Sequence, residues 1–323
     1  VELGALVAFL QYSQRFFKPI SDLSEKFNVM QSAMASSERI FELLDTPPLV
    51  ESPRGAQSPA VQGGGHIRFE HVWFAYRDNE FVLRDVTFDV SPGERVGVVG
   101  ATGAGKTTLI NLLMRFYDVN QGRITIDGVD IREMELDDLR RQFGLVLQDV
   151  YLFSGTIRDN IGLGHEEIGD DQVRAAAASV RADRFIEGIA DGFDGKVAER
   201  GTTLSTGQRQ LLSFARALAF APDVLLLDEA TSSVDTDTEH LIQNALRTLM
   251  GGRTTIAIAH RLSTVQGMDK ILVFHKGELR EIGNHQELLT QRGLYHTLYQ
   301  LQYRDQEQIS IGVTPLPDFP TVG

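Results

Sequence analysis

Apolar positions along this chain change their period three times. Between Ile20 and Leu44 they recur at steps of three and four, through Leu23, Phe27, Met30, Met34 and Phe41, with Ser37 filling the one gap. That spacing predicts one apolar stripe on a long helix. Pro19 is a candidate kink, and Thr46-Pro47-Pro48 is a stop signal. The opening run VELGALVAFL is apolar but spans about half of what a bilayer crossing needs. It reads either as a buried helix start or as the cytoplasmic end of a membrane helix. The long stripe that follows favours the second, a rod joining a membrane part to a soluble part.

From Leu49 to Gly65 the pattern disappears into Pro, Gly, Ser and Gln, ending in Gly63-Gly64-Gly65, and predicts a linker. The period then drops to two. HIRFEHVWFAY and VLRDVTFDV read as strands, the second with Val86, Phe88 and Val90 alternating. ERVGVVG, DVLLLDEA and RTTIAIAH are short apolar runs suited to strands buried on both faces. GRITIDGVDI predicts a hairpin turning at Asp127-Gly128, and KILVFHKGELREIG a later one. Between about Val150 and Gly201 the texture is helical. Asn284 with Glu287 forms a capping pair ahead of a final helical stretch, and a Pro-rich tail closes the chain. No internal repeat is visible.

Composition narrows the function classes. The 323 residues carry a net charge of −13, which argues against a nucleic-acid footprint. The absence of Cys excludes disulfides and thiolate metal sites. The chain begins with Val rather than Met and reads as the C-terminal part of a longer one.

Two segments carry chemistry. GATGAGKTT, Gly100 to Thr108, follows an apolar strand and precedes the helical TLINLLMRFY. This is the phosphate-binding loop pattern in its strand–loop–helix context. Its glycines let backbone N–H groups approach phosphate oxygens, Lys106 reaches the β- and γ-phosphates, and the Thr107 hydroxyl is placed for Mg²⁺. Asp228 and Glu229 end another apolar strand, at the carboxyl edge where ligands bind in open α/β sheets. Glu229 there can accept a proton from an attacking water, and His260 ends a third strand. The second segment is ERGTTLSTGQRQLL, a small-residue loop opening a helix around Ser205, and helix N-termini of this kind attract anions.

Taken together these motifs resemble the ATP-binding domain of ABC transporters. GATGAGKTT resembles its Walker A motif, VLLLDEAT its Walker B and LSTGQ its signature. Gln148 matches the Q-loop, Asp235 the D-loop, His260 the switch histidine and Tyr76 the aromatic residue that stacks on adenine. FFKPISDLSEKFNVMQSAMASSERIFELLD is similar to the last membrane helix and connector of exporter-type members.

The resemblance implies an α/β fold: a P-loop NTPase core with a mostly parallel sheet, an antiparallel β-subdomain, and a helical subdomain over about 150–216. It divides the chain into membrane-helix end and connector (1–48), linker (49–65), ATP-binding domain (66–302) and tail (303–323). It implies ATP and Mg as ligands. Tyr76, Gly100, Thr102, Gly103, Ala104, Gly105, Lys106, Thr107 and Thr108 would hold this chain's nucleotide. Thr107, Gln148 and Asp228 would hold the metal, and Glu229, His260, Gln148 and Lys106 would act in hydrolysis. Ser205, Gly207 and Gln208 would serve the nucleotide of a second half-transporter packed head to tail, and Asp235 of the D-loop would join the nucleotide-binding residues.

Two departures stand out: Thr206 where the family signature has Gly, and Lys196 where the neighbouring loop has Glu. An altered signature beside an intact Walker B glutamate favours a heterodimer over a homodimer. The expected setting is the cell membrane, with the chain's own transmembrane domain upstream, the ATP-binding domain on the cytoplasmic side and no nucleic acid. A DNA-acting soluble ABC ATPase, a regulatory ATP clamp without turnover, and an importer ATPase are the alternative readings.

Overall fold

The computed structural model describes residues 2–53, 55–56, 64–77, 80–165, 167–228, 236–259 and 262–302. They fall into two units, Val1–Leu49 and Val50–Gly323.

The first unit is one helix, Leu3–Asp45 (α1), which continues through Pro19 and contains no buried residue. Its predicted stripe, Ile20, Leu23, Phe27, Met30, Met34 and Phe41 among others, is exposed. The helix ends where the Pro pair predicts. The Thr46 N–H bonds the Leu43 carbonyl and its hydroxyl bonds the Glu42 carbonyl at 2.7 Å, after which Pro47 and Pro48 offer no N–H to continue the ladder. Among the described residues no helix is long and apolar enough to cross a membrane.

The second unit is built on three sheets. Its first half runs Ile67–Ala75 (β1), Phe81–Val90 (β2), Arg95–Gly100 (β3), Lys106–Leu113 (α2), Gln121–Ile126 (β4), Val129–Asp130 (β5), Leu136–Arg141 (α3) and Phe143–Val146 (β6). A more helical stretch follows: Gly155–Thr156 (β7), Ile157–Gly162 (α4), Asp170–Ser179 (α5), Asp183–Ile186 (α6), Lys196–Val197 (β8) and Thr206–Ala219 (α7). The last part is Val224–Asp228 (β9), Thr236–Met250 (α8), Thr254–Ile258 (β10), Leu262–Gln266 (α9), Lys270–His275 (β11), Glu278–Gly283 (β12), His285–Gln291 (α10) and Leu294–Gln302 (α11).

The six-stranded sheet has the order β12-β11-β3-β10-β9-β6. Five of its strands are parallel and β12 pairs antiparallel at one edge. The apolar runs belong here because both faces are covered. Val99, Leu225, Leu227, Ala257, Ile271 and Val273 enter one core, and the alternating Val98, Val224, Leu226, Ile256, Ile258 and Leu272 enter the other. The second core is shared with an antiparallel sheet of order β2-β1-β4-β5. Its hairpin turns where expected, with Asp127 and Gly128 both at positive φ, 50° and 83°.

Three features differ from the sequence pattern. Strand β6 is an edge strand carried by only four residues, too short for a period of its own. Helix α2 stops at Leu113 rather than running through TLINLLMRFY, because Arg115 turns left-handed at φ 48° and its Nε bonds Asp118 at 2.8 Å. The helical stretch also contains the two-residue pairing of β7 with β8, which takes up Lys196.

Candidate functional site

The loop between β3 and α2 is shaped by its glycines. Gly105 is the residue that starts α2, at φ 97°, and it makes no side-chain capping bond. A Cβ there would lie 2.7 Å from Leu83 Cδ2 and 3.2 Å from the Val82 carbonyl. Gly103 is also left-handed, at φ 78°, but faces open space. One glycine is therefore demanded by packing and backbone together, and the other by backbone alone. Gly100 approaches β11 so closely that a Cβ would meet the Phe274 carbonyl at 2.4 Å. Ala104 is buried and its N–H bonds the Ala101 carbonyl at 3.1 Å, while Thr102 and Thr107 are exposed. With no side-chain cap, the first-turn N–H groups of α2 remain available to an external acceptor.

Lys106 curls over this loop. Its Nζ donates to the Gly100 carbonyl at 2.9 Å and the Ala101 carbonyl at 3.1 Å. Those bonds engage two of its three donors. The side chain is buried, and this burial pushes the ammonium below its ordinary pKa while the nearby Asp228 carboxylate opposes the shift. A cation held at such a cost is poised to gain from an added anion.

The carboxyl ends of neighbouring parallel strands bring the acidic side together. Strand β6 pairs with β9, Val146 opposite Leu227. Gln148, just past β6, and Asp228, at the end of β9, consequently line one small cavity with Gln210, Phe214 and Leu246. Amide and carboxylate oxygens are donors that a hard dication such as Mg²⁺ prefers. Among the described residues no group of three or more His, Asp or Glu side chains is arranged to hold a metal ion by itself. Glu229, Asp235 and His260 lie outside the described residues.

Tyr76 follows the last residue of β1 and is 44% exposed. Phe74 and Tyr117 meet it edge to face, at 4.8 and 5.0 Å. Its Oη donates to Thr108 Oγ1 at 3.2 Å and accepts from Asn111 Nδ2 at 3.0 Å. Thr108 and Asn111 stand three apart on α2, on one face. That spacing was the only sequence signal for Asn111, which motif reasoning passed over.

The signature segment is a separate helix start. Ser205 caps α7, its Oγ accepting the Gln208 N–H at 3.2 Å, and the Gln208 side chain returns the bond to the Ser205 N–H at 2.9 Å. Thr206 is the first residue of the helix. Its hydroxyl accepts from Arg209 at 3.1 Å, and the same guanidinium also bonds the Leu204 carbonyl. Gly207 is buried, and a Cβ there would fall 2.3 Å from the Thr238 methyl on α8.

One arginine ties this helix to the segment after Gln148. Arg216 of α7 donates to the carbonyls of Asn160 at 2.8 Å and Tyr151 at 3.0 Å. The buried Asn160 side chain in turn accepts the Phe153 N–H and donates to the carbonyls of Phe153 and Thr156.

Residues 83–232 match the family described as ABC transporter. The chain is 47% identical over 299 residues to a fatty acid ABC transporter ATP-binding/permease protein of Mycobacterium bovis, covering 92% of this chain and 47% of that protein. It is 42% identical over 305 residues to an ATP-dependent lipid A-core flippase of Syntrophus aciditrophicus, covering 94% of this chain and 50% of the flippase. The fold is similar to a bacterial Atm1-family ABC exporter solved with ATP bound. The TM-score is 0.76 at 38% identity, over 94% of this chain and 53% of that one. The chain thus spans about half the length of the relatives it matches.

Proposed function

We propose that this chain, whose residues 83–232 match the ABC transporter family and which is similar to exporter-type ATP-binding/permease proteins, binds and hydrolyses MgATP to drive transport across a membrane. The observation that carries the reading is the uncapped start of α2 beside a buried Lys106, whose ammonium lies near enough to the Asp228 carboxylate to feel its charge.

Each group then has a task. The loop N–H groups and Lys106 hold the phosphates and stabilise charge as it develops on the transferring phosphoryl group. Tyr76 offers its ring to the adenine. Thr107, Gln148 and Asp228 would hold Mg²⁺, which when bound neutralises phosphate charge. Glu229 and His260 would orient the attacking water, with Glu229 taking its proton.

The second nucleotide face is the start of α7. We place Ser205, Gly207 and Gln208 against the nucleotide of a partner half-transporter, with Asp235 among the nucleotide-binding residues and the ATP-binding domains on the cytoplasmic side. Thr206 supports a heterodimer in which the partner has a full signature and a substituted Walker B glutamate. The competent site is then built from this chain's Lys106, Thr107, Asp228 and Glu229 with the partner's signature.

The test is turnover. In the full protein, Glu229→Gln lowers ATPase activity by a factor of about 10² or more while MgATP still binds, and vanadate inhibits the unmodified protein. Near-normal turnover in that variant would assign the base elsewhere. Co-expression with the partner raises ATPase activity above that of this protein alone. Full cooperative ATPase from this protein alone would favour the homodimer.

A further inference from the structure

We infer that Asn111 is a positioning residue for the nucleotide base: with Thr108 it fixes the Tyr76 ring to helix α2, so that a single helix sets the distance between the base platform and the phosphate loop. The inference rests on the nucleotide reading above and adds to it a residue that no motif names.

Tyr76 needs such an anchor. It lies one residue past the end of β1, where ladder hydrogen bonds no longer orient it. Its backbone is steadied from one side, because the Ala75 N–H bonds Asn120 Oδ1 at 2.7 Å. Its edge contacts with Phe74 and Tyr117 limit the tilt of the ring but leave it free to slide, since such contacts are weakly directional. The phenol oxygen supplies the missing constraint. It gives its proton to Thr108 and takes one from Asn111, so both bonding directions are fixed at once. Both partners belong to α2, whose first residues are Lys106 and Thr107. A movement of the phosphate loop therefore carries the ring with it. A flat base must lie on the exposed part of that ring while its triphosphate reaches the loop, so the span between the two sites becomes a property of one rigid element.

The inference makes the hydroxyl of Tyr76 matter, which a purely stacking role would not. It is tested in the full protein with two probes, MgATP and magnesium tripolyphosphate, which has no base. Asn111→Ala is expected to raise the Kd for MgATP about three- to tenfold, with the Kd for tripolyphosphate unchanged. Tyr76→Phe, which keeps the ring, is expected to give the same rise. Adding Asn111→Ala to Tyr76→Phe should produce little further loss, the mark of one shared interaction. Normal MgATP affinity in Asn111→Ala, alongside a loss in Tyr76→Ala, would overturn the positioning role and leave the nucleotide reading intact. Equal weakening of both probes in Asn111→Ala would also overturn it, assigning the residue to the integrity of α2. No loss in Tyr76→Ala would remove the base platform itself, and this inference with it.

Discussion

Helices α2 and α7 both open on small residues, and they open in opposite ways. At α2 the starting residue is a left-handed glycine that makes no side-chain bond. At α7 it is an extended serine inside a reciprocal capping box with Gln208. A cap of that kind is worth about 1 kcal/mol. Helix α2 forgoes it, so its N–H groups depend on something outside the chain. Helix α7 is satisfied by its own residues, and the box leaves only the N–H groups of Thr206 and Gly207 outside it. Glycine also serves different ends. Gly105 permits a backbone turn against Leu83, whereas Gly207 makes room for the Thr238 methyl of a neighbouring helix. A small-residue motif at a helix start can thus be demanded by an open ligand cradle, by a packing notch, or by both at once.

The sharpest way to separate the two is to remove Lys106. Lys106→Ala is expected to weaken MgATP binding by at least about 30-fold, the lower end for truncating a buried charged partner, measured by calorimetric titration. Because burial holds this ammonium below its usual 10.5, it loses its proton at a lower pH than a free lysine. Affinity for the phosphates should then fall as pH rises through that depressed value, and a flat profile up to 10.5 would contradict the assignment.

The packing notch is tested by filling it. Gly207→Ala is expected to destabilise the protein by about 1–3 kcal/mol through overpacking, and Thr238→Ser, which removes the obstructing methyl, should recover much of that loss. An additive double mutant would mean that the contact is not the cause. Ser205→Ala comes next. Loss of the cap should cost about 1 kcal/mol in denaturant unfolding, and no comparable capping variant exists at α2. The smallest effect belongs to Thr206→Gly. It gives up one bond to Arg209 and some helix propensity, about 0.5–1 kcal/mol together, with little change in turnover if Thr206 faces an impaired site. A large gain in turnover would instead make Thr206 a brake on this chain's own activity.

Legibility followed the range of the interactions. The phosphate loop, the Asp127-Gly128 turn and the Asn284–Glu287 capping box were all readable because each is closed within a few residues. The central strands were readable because burial on both faces leaves no polar alternation. The short edge strand β6 was not. Its four residues make sense only beside β9, and Val146 and Leu227 are far apart in sequence. The same holds inside the site. Gly207 belongs to a motif that speaks of phosphate, yet its nearest constraint is Thr238. Tyr76 was recognised by its ring, but its hydroxyl partners lie across the fold on α2.

The Arg216–Asn160 junction has a consequence for amide exchange. The stretch from Gln148 to Ser154 forms no helix or strand, so its N–H groups would ordinarily exchange with solvent at the rate of a surface loop. Phe153 is different, because its N–H is held by the buried Asn160 side chain, itself held by Arg216 from the last turn of α7. Deuterium can reach that amide when the Phe153–Asn160 bond opens, and the Arg216 contacts to Asn160 oppose that opening. Its exchange rate is therefore a gauge, readable at a single position, of how often the Gln148 segment lifts from Asn160 on α4, and Arg216→Ala should raise it if α7 braces that junction.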